Sequence, residues 1–340
     1  MRIKILLALS FMGGFTSLNS QTTLQDTELI LTDMLLISER YVAPGADAAA
    51  YQATSGWAST AKSLDLFQID VSVHMNALFI PNRRRSFTVR NNDFNALRIR
   101  GGETTTIPTV LGGDTSTFFD FEIGGEPNEF QAFEGINENQ LFHPFIQASV
   151  GLWKQTDFTV RYSPDIAISD AEYGIFGLAV KHSISQYFQK DIEESEEKIK
   201  NPLEVAVQVA YSRFNSGLSF DPFQIEGPDG EEGAPPLLLV NQLDVMLNSW
   251  SFQAIGSKRY HNFEFFGGVG VVLNDAQFVM NGEPGLVLAL LNNLLQGLDA
   301  SRTVVKGDIG VNYHLGDFYV SNAFTFGEFA NYNLSVHYKI

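Results

Sequence analysis

The sequence predicts an all-β membrane fold, an antiparallel transmembrane β-barrel of 12–14 strands with an N-terminal helical hatch or plug. Three observations predict it. Apolar and polar residues alternate with period two along most of the chain. The N-terminus has the layout of a secretory signal peptide. The chain closes on NYNLSVHYKI, which sets Tyr332, Leu334, Val336, Tyr338 and Ile340 against Asn331, Asn333, Ser335, His337 and Lys339. A barrel in lipid leaves no sheet edge unpaired, so this last strand is expected to pair with the first.

The bulk numbers agree. The 340 residues suit one barrel. Charged residues are 18%, against ~25% in soluble domains. Cysteine is absent, which removes disulfides, thiolate metal sites and a cysteine nucleophile. The formal charge is -17, and it becomes more negative without residues 1–20, which hold Arg2 and Lys4 and no acid. A surface of that sign offers no phosphate-neutralising patch, so no nucleic-acid partner is expected.

In chain order, residues 1–20 read as the signal peptide. They comprise a short basic start, an apolar stretch too short to span a bilayer, and a small or polar run ending at Ser20. Residues 21–65 do not alternate. TLQDTELILTDMLLISERY reads as an amphipathic helix with Leu29, Ile30, Met34, Ile37 and Tyr41 near one face and Asp26 as N-cap. This segment is the expected plug, folded into the lumen or across its periplasmic mouth. Residues 66–340 are the expected barrel.

The first strand, LFQIDVSVHMNALF, sets Phe67, Ile69, Val71, Val73, Met75, Ala77 and Phe79 against Gln68, Asp70, Ser72, His74 and Asn76. Further strands are expected at 86–99, 144–154, 156–163, 174–187, 203–214, 244–256, 262–273, 305–315, 318–327 and 331–340. Each approaches the ~9–11 residues that cross a membrane at a tilt. Eleven is odd and single-chain bacterial barrels are even, so TTTIPTVL (104–111) and TFFDFEI (117–123) are candidates for the remainder. The greasy rows are expected to face lipid and the polar rows a wet lumen, with Phe67, Phe79, Tyr187, Phe188, Phe214 and Tyr338 in interfacial girdles. Counting back from a periplasmic Ile340 places 221–243 and 274–303 outside and 190–202 in the periplasm. The expected location is the outer membrane of a Gram-negative bacterium.

In YVAPGADAAAYQATSGWASTAKSLDLFQIDVSVHMNALFIP, the residues Tyr41, Pro44, Gly56, Trp57, Thr60, Ala61, Lys62 and Pro81 carry a resemblance to an uncharacterised family of Bacteroidota outer-membrane proteins. More distantly, the layout resembles FadL-type hydrophobic-compound channels, which have fourteen strands and an N-terminal hatch. That family's Asn-Pro-Ala hatch element does not occur here. The closing strand resembles the signal read by the barrel insertion machinery, with Ile340 where an aromatic is usual.

Little chemistry stands out. The six histidines show no metal-ligand spacing, GGVGVV sits in a strand pattern without the third glycine of a dinucleotide fingerprint, and no Gly-x-Ser-x-Gly elbow occurs. No cofactor and no catalysis are expected. The acidic runs DIEESEE and IEGPDGEEG lack EF-hand spacing. NRRRS, with Arg83, Arg84 and Arg85, is a turn suited to anionic head groups or to solvent. The apolar run that starts at Leu286 and stops at Leu298 reads as a helix. It would cap the outer mouth, line access for a hydrophobic small molecule, or dock an outer-membrane protein partner.

Two functions fit. One is passive transport of small hydrophobic molecules past the hatch, with Asp70, His74, Asn76, Asp308 and His314 as a lumenal constriction and Trp57 and Lys62 anchoring the plug. The other is a non-transporting subunit of a secretion or assembly complex. In both, outer-membrane lipid surrounds the wall.

Overall fold

A computed structural model of the chain describes residues 18–168, 171–188, 202–225, 236, 238–296 and 302–340. Most of the expected signal peptide and nearly all of both acidic runs lie outside the described residues.

The wall is a closed antiparallel barrel of ten strands. They are β1 (Ile69–Phe79), β7 (Gln140–Leu152), β8 (Thr156–Ile168), β9 (Ala171–Ser183), β10 (Glu204–Ile225), β11 (Leu238–Tyr260), β12 (Phe263–Gly282), β13 (Arg302–Leu315), β14 (Phe318–Phe326) and β15 (Ala330–Lys339). Each pairs with its neighbour in that order. The first also pairs with the last, Asp70 opposite Lys339 through Phe79 opposite Ala330. The closing strand therefore has its expected partner.

Ten is fewer than the expected 12–14. The surplus candidates form β2 (Ser86–Arg90), β3 (Arg98–Ile99), β4 (Thr104–Pro108), β5 (Phe118–Ile123) and β6 (Glu126–Gln131), which build two small sheets between β1 and β7. At six residues or fewer, these strands are too short to cross a bilayer. Together with their loops, residues 80–139 form a head at one end of the barrel. The opposite end carries the turns at 153–155, 261–262 and 316–317. Barrels of this kind put short turns in the periplasm, so the head is outside. Lys154 and Gln155 take positive φ (56° and 49°), the signature of a tight type I′ hairpin.

The wall's faces are arranged as expected. Val71, Val73 and Met75 are exposed, while Asp70, Ser72, His74 and Asn76 are buried toward the axis. Phe67, Phe79, Tyr187, Phe188 and Tyr338 are exposed near the rims. Phe214 is not a girdle residue; it points inward and is buried.

The three tall strands explain Phe214. Along β10, β11 and β12 the alternation changes sign at one level. Tyr211, Trp250 and Leu273 are register partners on the outer surface, and the next outward row up is Arg213, Asn248 and Asp275. On the inner surface Ser212, Ser249 and Asn274 are followed upward by Phe214, Leu247 and Ala276. Below this level the wall is greasy outside and small or polar inside, as lipid requires. Above it the wall is polar outside and greasy inside, as water requires. The Tyr211–Trp250 pair, rings 5.2 Å apart, sits at the switch where amphipathic aromatics favour the membrane interface. A charge on either side of this level tests it. Val269→Arg, on the lipid face, should destabilise the barrel by ~2–4 kcal/mol, whereas Gln277→Arg should be near neutral. Equal unfolding midpoints for the two variants in lipid would refute the boundary.

Inside runs α1 (Leu18–Thr54). It starts upstream of Asp26, so Asp26 is not an N-cap; its carboxylate accepts the Gly124 N–H of the head at 3.1 Å. The helix continues through Pro44. Proline removes one rung of the helical ladder, and beside that break the Tyr41 carbonyl accepts the Val110 N–H of the head at 3.0 Å. Ile30, Leu31, Met34 and Ile37 are buried, whereas Leu29 is 36% exposed and lies off the expected face. The larger of two apolar clusters in the outer half gathers these buried residues of α1. It joins those residues to Val89, Phe94, Leu97, Phe119 and Phe130 of the head, Leu243, Leu247, Phe278 and Met280 of the tall wall, and Leu288, Leu291 and Leu295 of an outer-loop helix.

Candidate functional site

The site is the lumen, and the plug's own backbone organises it. Helix α1 descends from the outer mouth and ends at mid-barrel. Gly56 follows its last turn with φ +66°, the left-handed position at which glycine commonly ends a helix. A Cβ there would also strike the Asn333 side chain at 2.9 Å. A helix C-terminus presents unpaired carbonyls and a partial negative charge. Here the wall supplies the donors. Arg161 Nη1 donates to the Ala53 and Ser55 carbonyls (3.1 and 2.9 Å), Lys306 Nζ to the Thr54 carbonyl (2.5 Å), and Ser212 Oγ to the Ala53 carbonyl (2.8 Å). Thr54 and Ser55 hydroxyls return to the Ala50 and Tyr51 carbonyls.

Arg161 is 0% exposed and carries no carboxylate partner within 4 Å among the described residues. The helix dipole and two rings compensate its charge. Its guanidinium lies 3.9 Å from the Trp57 ring centroid and 4.1 Å from that of Phe145, and its remaining donors go to Gln147 Oε1. Trp57 donates to Ser212 Oγ at 3.2 Å and rests against Gly177, where a Cβ would meet its ring at 2.6 Å.

Below Trp57 the chain crosses to the periplasmic rim through a series of bends, held by the wall at several points. Lys181 Nζ donates to the Thr60 and Lys62 carbonyls (3.1 and 2.9 Å) and pairs with Asp157 at 3.0 Å. Thr60 donates to Glu264, which also pairs with His314 at 2.9 Å. Asn312 donates to the Ser59 carbonyl at 2.8 Å, and Asp157 accepts the Leu64 N–H at 3.0 Å.

The residues expected to form a constriction are all buried on the inner face, but they enclose no open channel among the described residues. Asp70 accepts from His337 Nδ1 (3.0 Å) and Tyr319 OH (2.7 Å). Asp308 accepts from Gln253 at 2.5 Å and from Thr325, and lies 3.5 Å from Lys306. His314 belongs to the Glu264 cluster. His74 bonds Ser72 (2.9 Å) and Asn333 (3.0 Å), with its ring 5.2 Å from His337. Asn76 finds no side-chain partner. Of the two expected anchors, Trp57 contacts the wall at Ser212 and Gly177. Lys62 contributes its carbonyl, and its exposed side chain has no ion pair among the described residues. Arg161, Lys181 and Lys306, which do most of the holding, were not singled out by the sequence.

Ser335 Oγ, His337 and Asp70 stand in line at 2.9 and 3.0 Å, the order of a nucleophile, base and acid. Ser335 is 2% exposed, and the small polar cavity beside the group, about 40 Å³, touches His337 and Asp70 but not the serine. That leaves no room for an acyl group at the hydroxyl.

The outer mouth is covered by the head and by α2 (Leu286–Gln296), whose Leu288, Leu291 and Leu295 face inward while Leu290 is exposed. Asn292, which interrupts the apolar run in the sequence, bonds both backbone groups of Met280 (2.8 and 2.9 Å) and docks the helix on β12. The capping role expected for this helix is thus the one its geometry fits. The arginine turn sits at the surface, with Arg83 exposed, and its other two arginines bond within the protein. Arg84 pairs with Glu328 and lies 3.8 Å from Asp47, and Arg85 holds Leu111, Asn137 and Asn139. Burial pushes the Asp47 carboxyl above its usual range, with Arg302 and Arg84 pulling it back.

Two spaces remain in the outer half. One, about 700 Å³, opens at the mouth against Tyr41, Phe133, Leu218 and Met280. The other, about 90 Å³, lies deeper against Ala46, Ala49, Gln52, Tyr173 and Phe214. Beside the deeper one the wall has a weak seam. The β7–β8 ladder stops at Ile146 opposite Tyr162, and the next outward positions are Pro144 and Pro164, neither of which can donate.

A closed antiparallel wall with a lipid-facing band, a polar interior and no free edge is an outer-membrane β-barrel. Within that class, a family model matches residues 1–340, and the chain belongs to that family, DUF6588, a family of unknown function. No curated protein matches the chain. Among solved structures, similar ones include the translocator domain of the autotransporter NalP from Neisseria meningitidis (TM-score 0.36, 8% identity, 89% of this chain and 100% of that one). Others are the β domain of the Bordetella autotransporter BrkA (0.33, 10%, 81% and 99%) and a Pseudomonas aeruginosa FadL homologue (0.31, 10%, 78% and 61%). The architecture rests on the strand pairing above rather than on likenesses this distant.

Proposed function

We propose that this barrel does not conduct, and that it mounts a folded head on the outer surface of the membrane as the non-transporting member of an outer-membrane assembly. The observation that carries this reading is the threading of the plug. Its outer end is bonded to the head through Asp26, Asp33 and Tyr41, and its inner end continues into β1. Tethered at both rims, it has no hinge on which to swing clear of the lumen. Three wall cations also hold its carbonyls at mid-barrel and below. A partner would meet the head, since Leu288, Leu291 and Leu295 of α2 are turned inward. In planar bilayers the purified protein should show no stepwise conductance, and liposomes bearing it should not swell in small sugars. Steady channels in the unaltered protein would overturn the proposal.

The other reading, passage of small hydrophobic molecules, draws support from the proline seam and the apolar space behind it. It requires the plug to rearrange. Cross-linking Thr60→Cys to Ser257→Cys, positions whose hydroxyl oxygens lie 3.3 Å apart, would block such passage and leave a non-conducting mount unaffected.

A further inference from the structure

We propose that the outward face of the tall wall, above the membrane, holds the sugar head of a glycolipid from the outer leaflet. Below the switch level this wall faces lipid, with Val209, Phe252 and Val271 in register on its surface. A lipid whose chains lie there sets its head on the polar face directly above. On β10 that face climbs from Arg213 to Ser219, ~20 Å of strand at ~3.3 Å per residue, or ~14 Å of height at a tilt of ~45°. A phospholipid headgroup layer accounts for only ~5–8 Å of this. An oligosaccharide head reaches the rest.

The chemistry of the face fits hydroxyl groups. Asn215, Gln242, Asn248, Gln277 and Asn281 are outward carboxamides, and residues 213–219, 242–248 and 275–281 contain no Lys or Glu, the long charged side chains of an ordinary wet surface. Four of these amides are held in place. Asp244 accepts from Gln242 Nε2 at 2.6 Å and from Asn281 Nδ2 at 2.7 Å, which leaves two amide oxygens as acceptors. Asn248 Oδ1 accepts from Tyr211 OH at 2.7 Å and Asn215 Oδ1 from Arg213 Nε at 3.3 Å, which leaves two amide nitrogens as donors. A sugar hydroxyl both donates and accepts, so a face of fixed donors and acceptors matches it. Side chains ordered in advance lose little entropy on binding. Gly217 leaves a dip beside Asp244, since a Cβ there would stand 3.3 Å from the carboxylate. Phe176, 45% exposed and in register with Arg213, offers a ring to the apolar side of a sugar. Phosphates fit worse, because Arg213 is set against the carboxylates of Asp244 and Asp275. The contact is independent of whether the lumen conducts.

The probes are lipopolysaccharide bearing its core oligosaccharide, and lipid A with the same acyl chains and phosphates but no core. Each is titrated against the full-length protein in detergent, with affinity read by microscale thermophoresis. The core-bearing lipid should bind about tenfold or more tightly. Gln242→Leu combined with Asn281→Leu should bring it down to the level of lipid A and leave lipid A itself unchanged. Asn215→Ala combined with Asn248→Ala serves as the second variant if the first fails to fold, with the same expected result. Salt at about 0.5 M, which screens contacts between charges, should leave the preference in place. Equal binding of the two lipids, a preference lost in salt, or a folded variant that keeps the preference would overturn the proposal.

Discussion

Replacing Arg161 by alanine should unseat the plug while the wall stays closed. The substitution leaves the Ser55 carbonyl and Gln147 Oε1 without their donor, each a loss of ~1–3 kcal/mol for a buried group, and leaves the Ala53 carbonyl to Ser212 alone. It also removes a cation stacked between Trp57 and Phe145, a contribution of ~1–2 kcal/mol for each ring in a dry site. Relief of the buried charge returns part of this, because an ion out of water is itself costly. The net loss in plug stability is on the order of 3 kcal/mol. Arg161→Lys should recover little of it, since a compact ammonium cannot lie as a plane between the Trp57 and Phe145 rings while reaching both carbonyls and Gln147 Oε1. Limited proteolysis should cut the Arg161→Ala protein between Thr54 and Ile69, and bilayer recordings should show intermittent openings. The same protection as the unaltered protein in both measurements would show that the arginine does not hold the plug.

Asp33→Ala should release the head. Asp33 is buried on α1 and accepts the backbone N–H groups of Asn95, Ala96 and Leu97 as well as the Asn95 amide, all between 2.7 and 3.0 Å. One carboxylate thus folds a whole loop against the helix. Hydrogen bonds to a charged group contribute ~1.5–3 kcal/mol each, and shared acceptors do not add fully. A loss of ~3–5 kcal/mol is expected, confined to the outer half. Hydrogen exchange should rise across residues 94–99 and in the first half of α1, with the strands below Tyr211 unchanged. Exchange rising equally in the wall would mean that head and barrel unfold as one unit.

Sequence period alone made the wall legible, because each side chain's face follows from parity once a strand is recognised. The row from Asp70 to Asn76 and the closing pairing were both readable in this way. What parity does not carry is height. Phe214 and Ser212 share a face, and only their distance from the membrane plane sends one into an apolar core and the other into a polar lumen. The strand count exceeded ten because SFTVR-, TTTIP- and FFDFEI-type runs alternate as well as spanning strands do, while packing on a head rather than in lipid. Arg161 was hidden for another reason. Within FTVRYSP it is one inward-facing cation among several, and its importance comes from a helix terminus that lies about a hundred residues away in sequence.

The descent of α1 from the outer rim, straight into β1, constrains biogenesis. A polypeptide that enters its own cylinder at one opening and becomes the cylinder's first stave at the other cannot be plugged after the fact by a simple insertion. Either the sheet curls around the helix and β15 zips onto β1 last, or the leading segment is drawn through a half-built ring while the insertion machinery still holds the ends apart. In both cases the final hydrogen-bond ladder, Asp70 with Lys339 upward, seals a thread already in place.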